Sequence, residues 1–393
     1  SIVVFFKKYA TEAAKKVEYK LGDVKLIEVD KYKYLGTWFD DVLSNSSFNN
    51  NILKKLNKVK FDITSCAHRH NGDFLPVPFR RYLFLMDGRP KVEYGLGIHG
   101  INITKQVELV QKHIACNLLR IKENTMNLIP LAELGICTLQ ERKNHAMVRT
   151  WLNLLVDDVD NPEKRILYWC LLEEFKKKKR KTSFLGRIFH ELVPQFNLFD
   201  VWNNQNKYSG DISKDVLKNR ATKIAFNNVH RRFNDVITNK NSSTITELFY
   251  NVYNEPRLQL ANYLKYDTFG DIGTYIITTI RTSCSMLKVD TGRITKPFTP
   301  HQLRKCTFCD KNLVEDAYHI FFDCTYNLAI KYRQQLSNDL PKDVFTFADN
   351  RKELLNILLC KNIKKVTNEK LINLLKVCLF VCCYIQALLQ NWS

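Results

Sequence analysis

Long apolar runs are missing from this chain. The mostly apolar stretch Val377 to Leu389 is thirteen residues long, short of the ~20 that a spanning helix needs, so it reads as a buried helix and no membrane anchor is expected. Acidic residues are scarce: 40 Asp and Glu stand against 60 Lys and Arg, a net charge of +20 at pH 7. That imbalance favours a polyanionic partner, with nucleic acid the first candidate and an anionic membrane surface the second. No secretory leader and no regular cysteine framework is evident. Twelve cysteines without such a framework, in a chain of 393 residues, point to a reducing, intracellular compartment, nucleus and cytoplasm, and to no disulfides. Internal repeats and low-complexity tracts are also missing. With 45% hydrophobic and 12% aromatic residues, the composition is globular and long enough for two or three domains.

The most specific chemistry lies in Cys306 to Cys324, CTFCDKNLVEDAYHIFFDC. Cys306 and Cys309 can grip one ion from a tight turn, and His319 and Cys324 complete a tetrahedron of three thiols and one imidazole. Glu315 to Phe322 suits a short helix, but two positions five apart on an α-helix point about 140° away from each other. The helix is therefore expected to end near Asp323, so that Cys324 folds back toward the metal. With no open coordination position, the expected ion is a structural zinc. The bland alternative is four ordinary residues, with Cys309 and Cys324 as small core thiols.

The chain opens on strand formers, Ile2 to Phe6, with no start methionine, and is expected to be a fragment. A second short strand, Val24 to Val29, leads into Tyr32-Lys33-Tyr34-Leu35-Gly36-Thr37-Trp38, where the glycine permits a turn or a close approach to a ligand. Ser44 to Ser47 can cap a helix whose Ile52, Leu56, Val59 and Ile63 share a narrow sector, with Lys54 and Lys58 opposite. Those lysines either face solvent or track a phosphate backbone. An apolar helix, Phe79 to Met86, is followed by an expected turn at Asp87-Gly88-Arg89-Pro90. Thr104 caps a long amphipathic helix through Ile121. Pro130 and Gly135 bracket a short one, and Thr138 with Glu141 opens another with a capping box. Asp157 to Pro162 reads as a linker into a helix, Glu163 to Phe175, ending in the run Lys176 to Lys181. That run is a solvated helix end, a nuclear-import signal or a nucleic-acid patch. Trp202 to Asn241 is less periodic. Helices are expected at Leu248 to Leu264, Ile272 to Leu287, Leu328 to Leu336, Leu354 to Leu359 and Leu371 to Leu389.

In order, these landmarks resemble the back half of a non-LTR (LINE-like, jockey-like) retrotransposon reverse transcriptase. The matching features are the Ile2 to Phe6 strand, Tyr32 to Asp40, Tyr94-Gly95 before a long helix, Leu131-Ala132-Glu133-Leu134-Gly135 followed by Arg142, and the Cys306, Cys309, His319, Cys324 set. The resemblance implies a mainly α chain. A small β remnant of the palm with primer-grip-like strands would occupy residues 1–43, a helical thumb and following helices 44–156, a C-terminal helical region 157–290, and a zinc knuckle with terminal helices 291–393. Tyr34, Leu35 and Gly36 would correspond to the primer grip and, with Lys54 and Lys58, would touch nucleic acid. The knuckle would handle template RNA, the partners being RNA or an RNA/DNA hybrid and a DNA target.

The family's catalytic carboxylates, with their magnesium ions, precede the segment on which this chain opens. Asp40 and Asp41 follow the primer-grip match and are read as a strand end and turn. The chain thus offers no catalytic residue of its own, and magnesium is expected only in a complete parent polymerase. A second reading is a captured, non-catalytic, zinc-containing helical protein that serves as a protein- or RNA-interaction module.

Overall fold

The computed structural model describes residues 19–34, 37–40, 45–66, 75–99, 102–123, 128–155, 162–178, 183–205, 219–225, 259–265 and 270–327, with scattered positions outside these runs. Leu35, Gly36, Asp41 and the expected helix Leu371 to Leu389 lie outside the described residues, as does most of Trp202 to Asn241 and of Leu248 to Leu264. The described chain is mainly helical, with short β pairs near its N-terminus. β1 (Ile2–Val3) pairs in parallel with β4 (Ile27–Glu28), and β2 (Lys20–Leu21) pairs antiparallel with β3 (Val24–Lys25). β5 (Lys31–Tyr34) and β6 (Thr37–Asp40) form a hairpin that sets Lys31 opposite Asp40 and Tyr34 opposite Thr37. Asp40 is buried at the end of that hairpin.

Two compact units are formed, one from residues 1–62, 83–111 and 138–225, the other from residues 63–82, 112–137 and 226–393. In α1 (Asn45–Cys66) the apolar stripe Phe48, Ile52, Leu56, Val59 and Ile63 is buried, and Lys54 and Lys58 are exposed. That is the outcome a 3.6-residue period requires once one face leaves water.

The turn expected at Asp87 to Pro90 does not form. α2 (Val77–Leu83) runs on through one π turn, Phe84–Gly88, into Arg89–Glu93. Pro90 follows directly on the π turn, at the second position of that last segment. Gly88 serves packing instead: a Cβ there would come 2.6 Å from a methyl of Val59.

In the first unit, α3 (Leu96–His99) packs on α6 (Leu139–Leu155) so tightly that a Cβ on Gly97 would meet the carbonyl of Ala146 at 3.0 Å. The local start signals operate as expected. Thr104 Oγ1 accepts from the Val107 amide at 3.4 Å at the head of α4 (Lys105–Leu119), and Thr138 Oγ1 accepts from the Glu141 amide at 3.2 Å at the head of α6. The core of this unit is dry: Met147, Val148, Trp151, Leu152, Ile188, Val193, Leu198 and Val201 are all sealed from solvent. Tyr168 of α7 (Pro162–Lys178) joins it, and Leu171, Leu172 and Phe175 pack against it.

In the second unit, α5 (Ile129–Leu134) ends on Gly135 at φ 61°, the left-handed C-terminal cap that glycine adopts without strain. A Cβ at Gly135 would also strike the backbone of Gln259 at 2.4 Å. α8 (Gly270–Arg281) delivers Arg281 to Glu133, with Nη2 2.9 Å from Oε1, Nη1 donating to the Leu359 carbonyl at 2.6 Å, and the guanidinium 4.8 Å from the centre of the Tyr263 ring. Both charges are buried, which is tolerable only because each is met by the other and by further hydrogen bonds. Among the described residues, no helix is long and apolar enough to cross a membrane.

Candidate metal centre

The second unit carries a small module after α8, built on hydrogen bonds more than on apolar contact. Lys305 bridges Val314, and the Cys306 amide donates to the Leu313 carbonyl at 2.9 Å, which closes a tight loop around Cys309. Asn312 takes φ 58° in that loop, a left-handed position that asparagine tolerates better than most side chains. The loop is anchored from behind. The Val289 amide donates to the Glu315 carbonyl at 3.0 Å, the Lys288 amide to Glu315 Oε1 at 3.1 Å, and Arg304 gives Nη1 to the Val289 carbonyl and Nε to the Thr299 carbonyl, both at 2.8 Å. The Asp316 carboxylate accepts from the His319 amide at 2.7 Å and so starts the helical segment that carries the imidazole.

That segment is where the sequence expectation needed a structural means. Its second half is a π turn, His319–Asp323, in which the Cys324 amide donates to the His319 carbonyl at 2.8 Å. An i→i+5 turn is wider than an α turn and brings residues five apart closer to one face than the 140° of an α-helix. Cys324 then leaves the helix in extended backbone, φ −62° and ψ 127°. The helix does end at Asp323, and the π turn supplies the rotation that an α-helix would have left 140° out.

The four predicted ligands meet. The ligand atoms of Cys306, Cys309, His319 and Cys324 all lie within 4.8 Å of one another, and Cys309 Sγ is 3.3 Å from His319 Nε2. A tetrahedral zinc with bonds of about 2.3 Å to sulfur and 2.0–2.1 Å to nitrogen sets its ligand atoms roughly 3.5–3.8 Å apart, so binding would draw the widest pair in by about 1 Å. Cys306, Cys324 and His319 are buried, Cys309 half-buried. His319 Nδ1 is buried and has no hydrogen-bond partner, leaving the ring to make its side-chain polar contact through the cluster.

Burial dominates the proton chemistry of the cluster. Burial pushes the Cys306 thiol up to about 12 and raises Cys324 as well, with the neighbouring sulfurs adding to the effect. Burial also acts upward on Cys309, but amide donors from Lys311 and Thr325 outweigh it and bring that thiol below its ordinary range. Burial holds His319 below the usual imidazole value, in the neutral form that a ligand needs, despite Asp316 and Asp323 nearby. Three thiolates this close repel one another, and a divalent cation reverses that balance by deprotonating them outright. The cluster could hold one soft, tetrahedral metal ion and leave it no open position.

The other predicted site residues are more scattered. Tyr34 closes the β5–β6 hairpin. Lys54 and Lys58 are exposed on the outer side of α1. Their neighbour Lys55 was not singled out in sequence, yet burial and then the charge of Lys33 on β5 hold its ammonium below the ordinary lysine value. Like charges brought together mark where positive potential concentrates. The only sequence hint is that Lys55 flanks the apolar stripe. Set against known proteins, the chain matches no family model, no curated protein and no solved structure.

Proposed function

We propose that this chain is the nucleic-acid-binding C-terminal part of an RNA-directed DNA polymerase of the non-LTR retrotransposon type, with one structural zinc ion held by Cys306, Cys309, His319 and Cys324. The observation that carries this reading is the convergence of those four ligands, in the order and spacing of the family's knuckle, within 4.8 Å. The net charge of +20 and the basic pairing of Lys33 with Lys55 support it. The ion's contribution is to hold the Cys306–Cys324 loops in one shape. The chain's own part is electrostatic: Lys54, Lys55 and Lys58 offer phosphate contacts from α1, beside the hairpin that includes Tyr34. Asp40 is buried at a strand end, a poor place for a magnesium ligand.

Two assays test this. Affinity for RNA or an RNA/DNA hybrid should fall steeply with salt, and Lys54→Ala with Lys58→Ala should flatten the log–log slope by about one unit per lost phosphate contact. The chain should bind primer-template without extending it, with Mg²⁺ or Mn²⁺ alike. Extension that vanishes in Asp40→Asn with Asp41→Asn would reassign the chemistry. A protein-interaction module is the second reading, favoured by Phe298 and Leu303, each 63% exposed on the same module. A chain that binds no nucleic acid at any salt concentration would select it.

A further inference from the structure

Helix α7 is apolar on two opposite sides. Tyr168, Leu171, Leu172 and Phe175 face the core of the first unit, yet Ile166 and Trp169 are 64% and 65% exposed. At roughly 100° per residue, Arg165, Ile166, Trp169, Glu173, Lys176 and Lys177 share the outward sector. Single exposed apolar residues are ordinary. A tryptophan held in water beside an isoleucine is not, because Trp carries one of the largest apolar surfaces of any side chain. Around it lies a shallow hollow of about 410 Å³, lined among the described residues by Arg165, Ile166, Trp169, Cys170 and Glu173.

Charge on this face indicates what covers it. Lys176 and Lys177 are exposed at the helix end, where the basic run continues in sequence to Lys181, and Arg165 lies one turn before Trp169. Glu173, the acid in this sector, is 3.2 Å from Lys176, so the two form an exposed ion pair, and Lys177 adds a further positive charge beside it. An aromatic plane set between cations is how proteins hold single strands: bases stack on the ring and phosphates meet the positive charges. A duplex keeps its bases stacked inside and has none to offer. We propose that the outward face of α7, centred on Trp169 and flanked by Arg165 and Lys177, is a stacking site for single-stranded RNA or DNA. This rests on the nucleic-acid-binding reading above and adds to it a place and a strand preference.

The test uses the full chain with a fluorescently labelled oligouridine and, separately, a labelled RNA/DNA hybrid, read by anisotropy at fixed salt. Trp169→Ala should weaken oligouridine binding about 5- to 150-fold, the loss of one base stack, and leave the hybrid unchanged. Trp169→Phe, which keeps an aromatic plane, should retain most of the affinity. Because Trp169 is exposed, the variants should keep the wild-type circular dichroism. Unchanged oligouridine affinity in Trp169→Ala overturns the proposal and leaves the face to a protein or to a second copy of the chain. An equal loss on both ligands also overturns it. If the wild-type chain binds neither ligand, the functional reading falls as well, so the two failures are distinguishable.

Discussion

The core around Trp151 in the first unit and the module from Val289 to Cys324 in the second reach order by different routes. The first buries a continuous set of large apolar side chains, among them Trp151 with its ring 5.7 Å from that of Trp202. Its stability is spread over many contacts and should be indifferent to metal. The module has little such surface. Phe298, Leu303 and Leu313 remain exposed, and its interior sets a small apolar group, Val289, Ala317, Ile320 and Phe321, beside the polar and thiol side chains of Asp290, Arg304, Cys306, Glu315, His319 and Cys324. A region organised by polar side chains and one multivalent contact concentrates its stability in that contact, and its order becomes a function of cation concentration and pH.

The largest expected effect tests the proposed zinc ion. A chelator, or Cys306→Ser with Cys324→Ser, should release about one equivalent of zinc and cost the module on the order of 10 kcal/mol of apparent binding energy. Hydrogen exchange should then rise across residues 289–324 and stay low across residues 147–152 and 192–201. If both regions lose protection together, or if purified protein holds well under one equivalent of metal, the contrast is wrong.

The reverse perturbation is smaller. Trp151→Ala empties a fully sealed position and should cost about 3–5 kcal/mol, since a rigid core collapses only partly around a cavity. Thermal unfolding followed by circular dichroism should register the loss, and metal content should remain at the wild-type value. A Trp151→Ala chain that also loses its metal would show that the module depends on the apolar core.

What sequence reveals of these two regions follows the range of the forces involved. The stripe on α1 and the caps at Thr104 and Thr138 are visible because helix period and capping act over three or four residues. The ligand set at Cys306, Cys309, His319 and Cys324 is visible because thiol and imidazole chemistry is rare and spacing-limited. The π turn that unites its last two members leaves no periodic trace. Gly88 misleads for a different reason: a glycine serves a turn or a close contact equally well, and Val59, the neighbour that decides between them, lies on another helix. Glu133 and Arg281, 148 positions apart, carry no local sign of their partnership. Lys55 differs from Lys54 only in what folds against it.

Acid provides the finest separation of the two regions. His145 on α6 is mostly withdrawn from water, with Nε2 3.1 Å from Thr222 Oγ1, and burial, reinforced by Arg142 and Arg149, lowers its pKa from 6.5 to about 4. The unfolded chain therefore binds a proton at this position between pH 6.5 and 4 that the folded chain refuses. With more protons on the unfolded side, stability falls as pH falls through that window, by at most about 1.4 kcal/mol per pH unit, and the penalty is constant below pH 4. His145→Gln, which can still hydrogen-bond Thr222 but does not titrate, should flatten this part of the pH profile of the first unit without altering metal content. The module should respond to the same acid through its ligands, because protons compete with the metal for three thiolates and an imidazole. Excess zinc should then shift the acid loss of protection in residues 289–324 to lower pH and leave the His145-linked loss where it is. A zinc-dependent shift in both regions would mean that the acid response of the first unit is not set by His145.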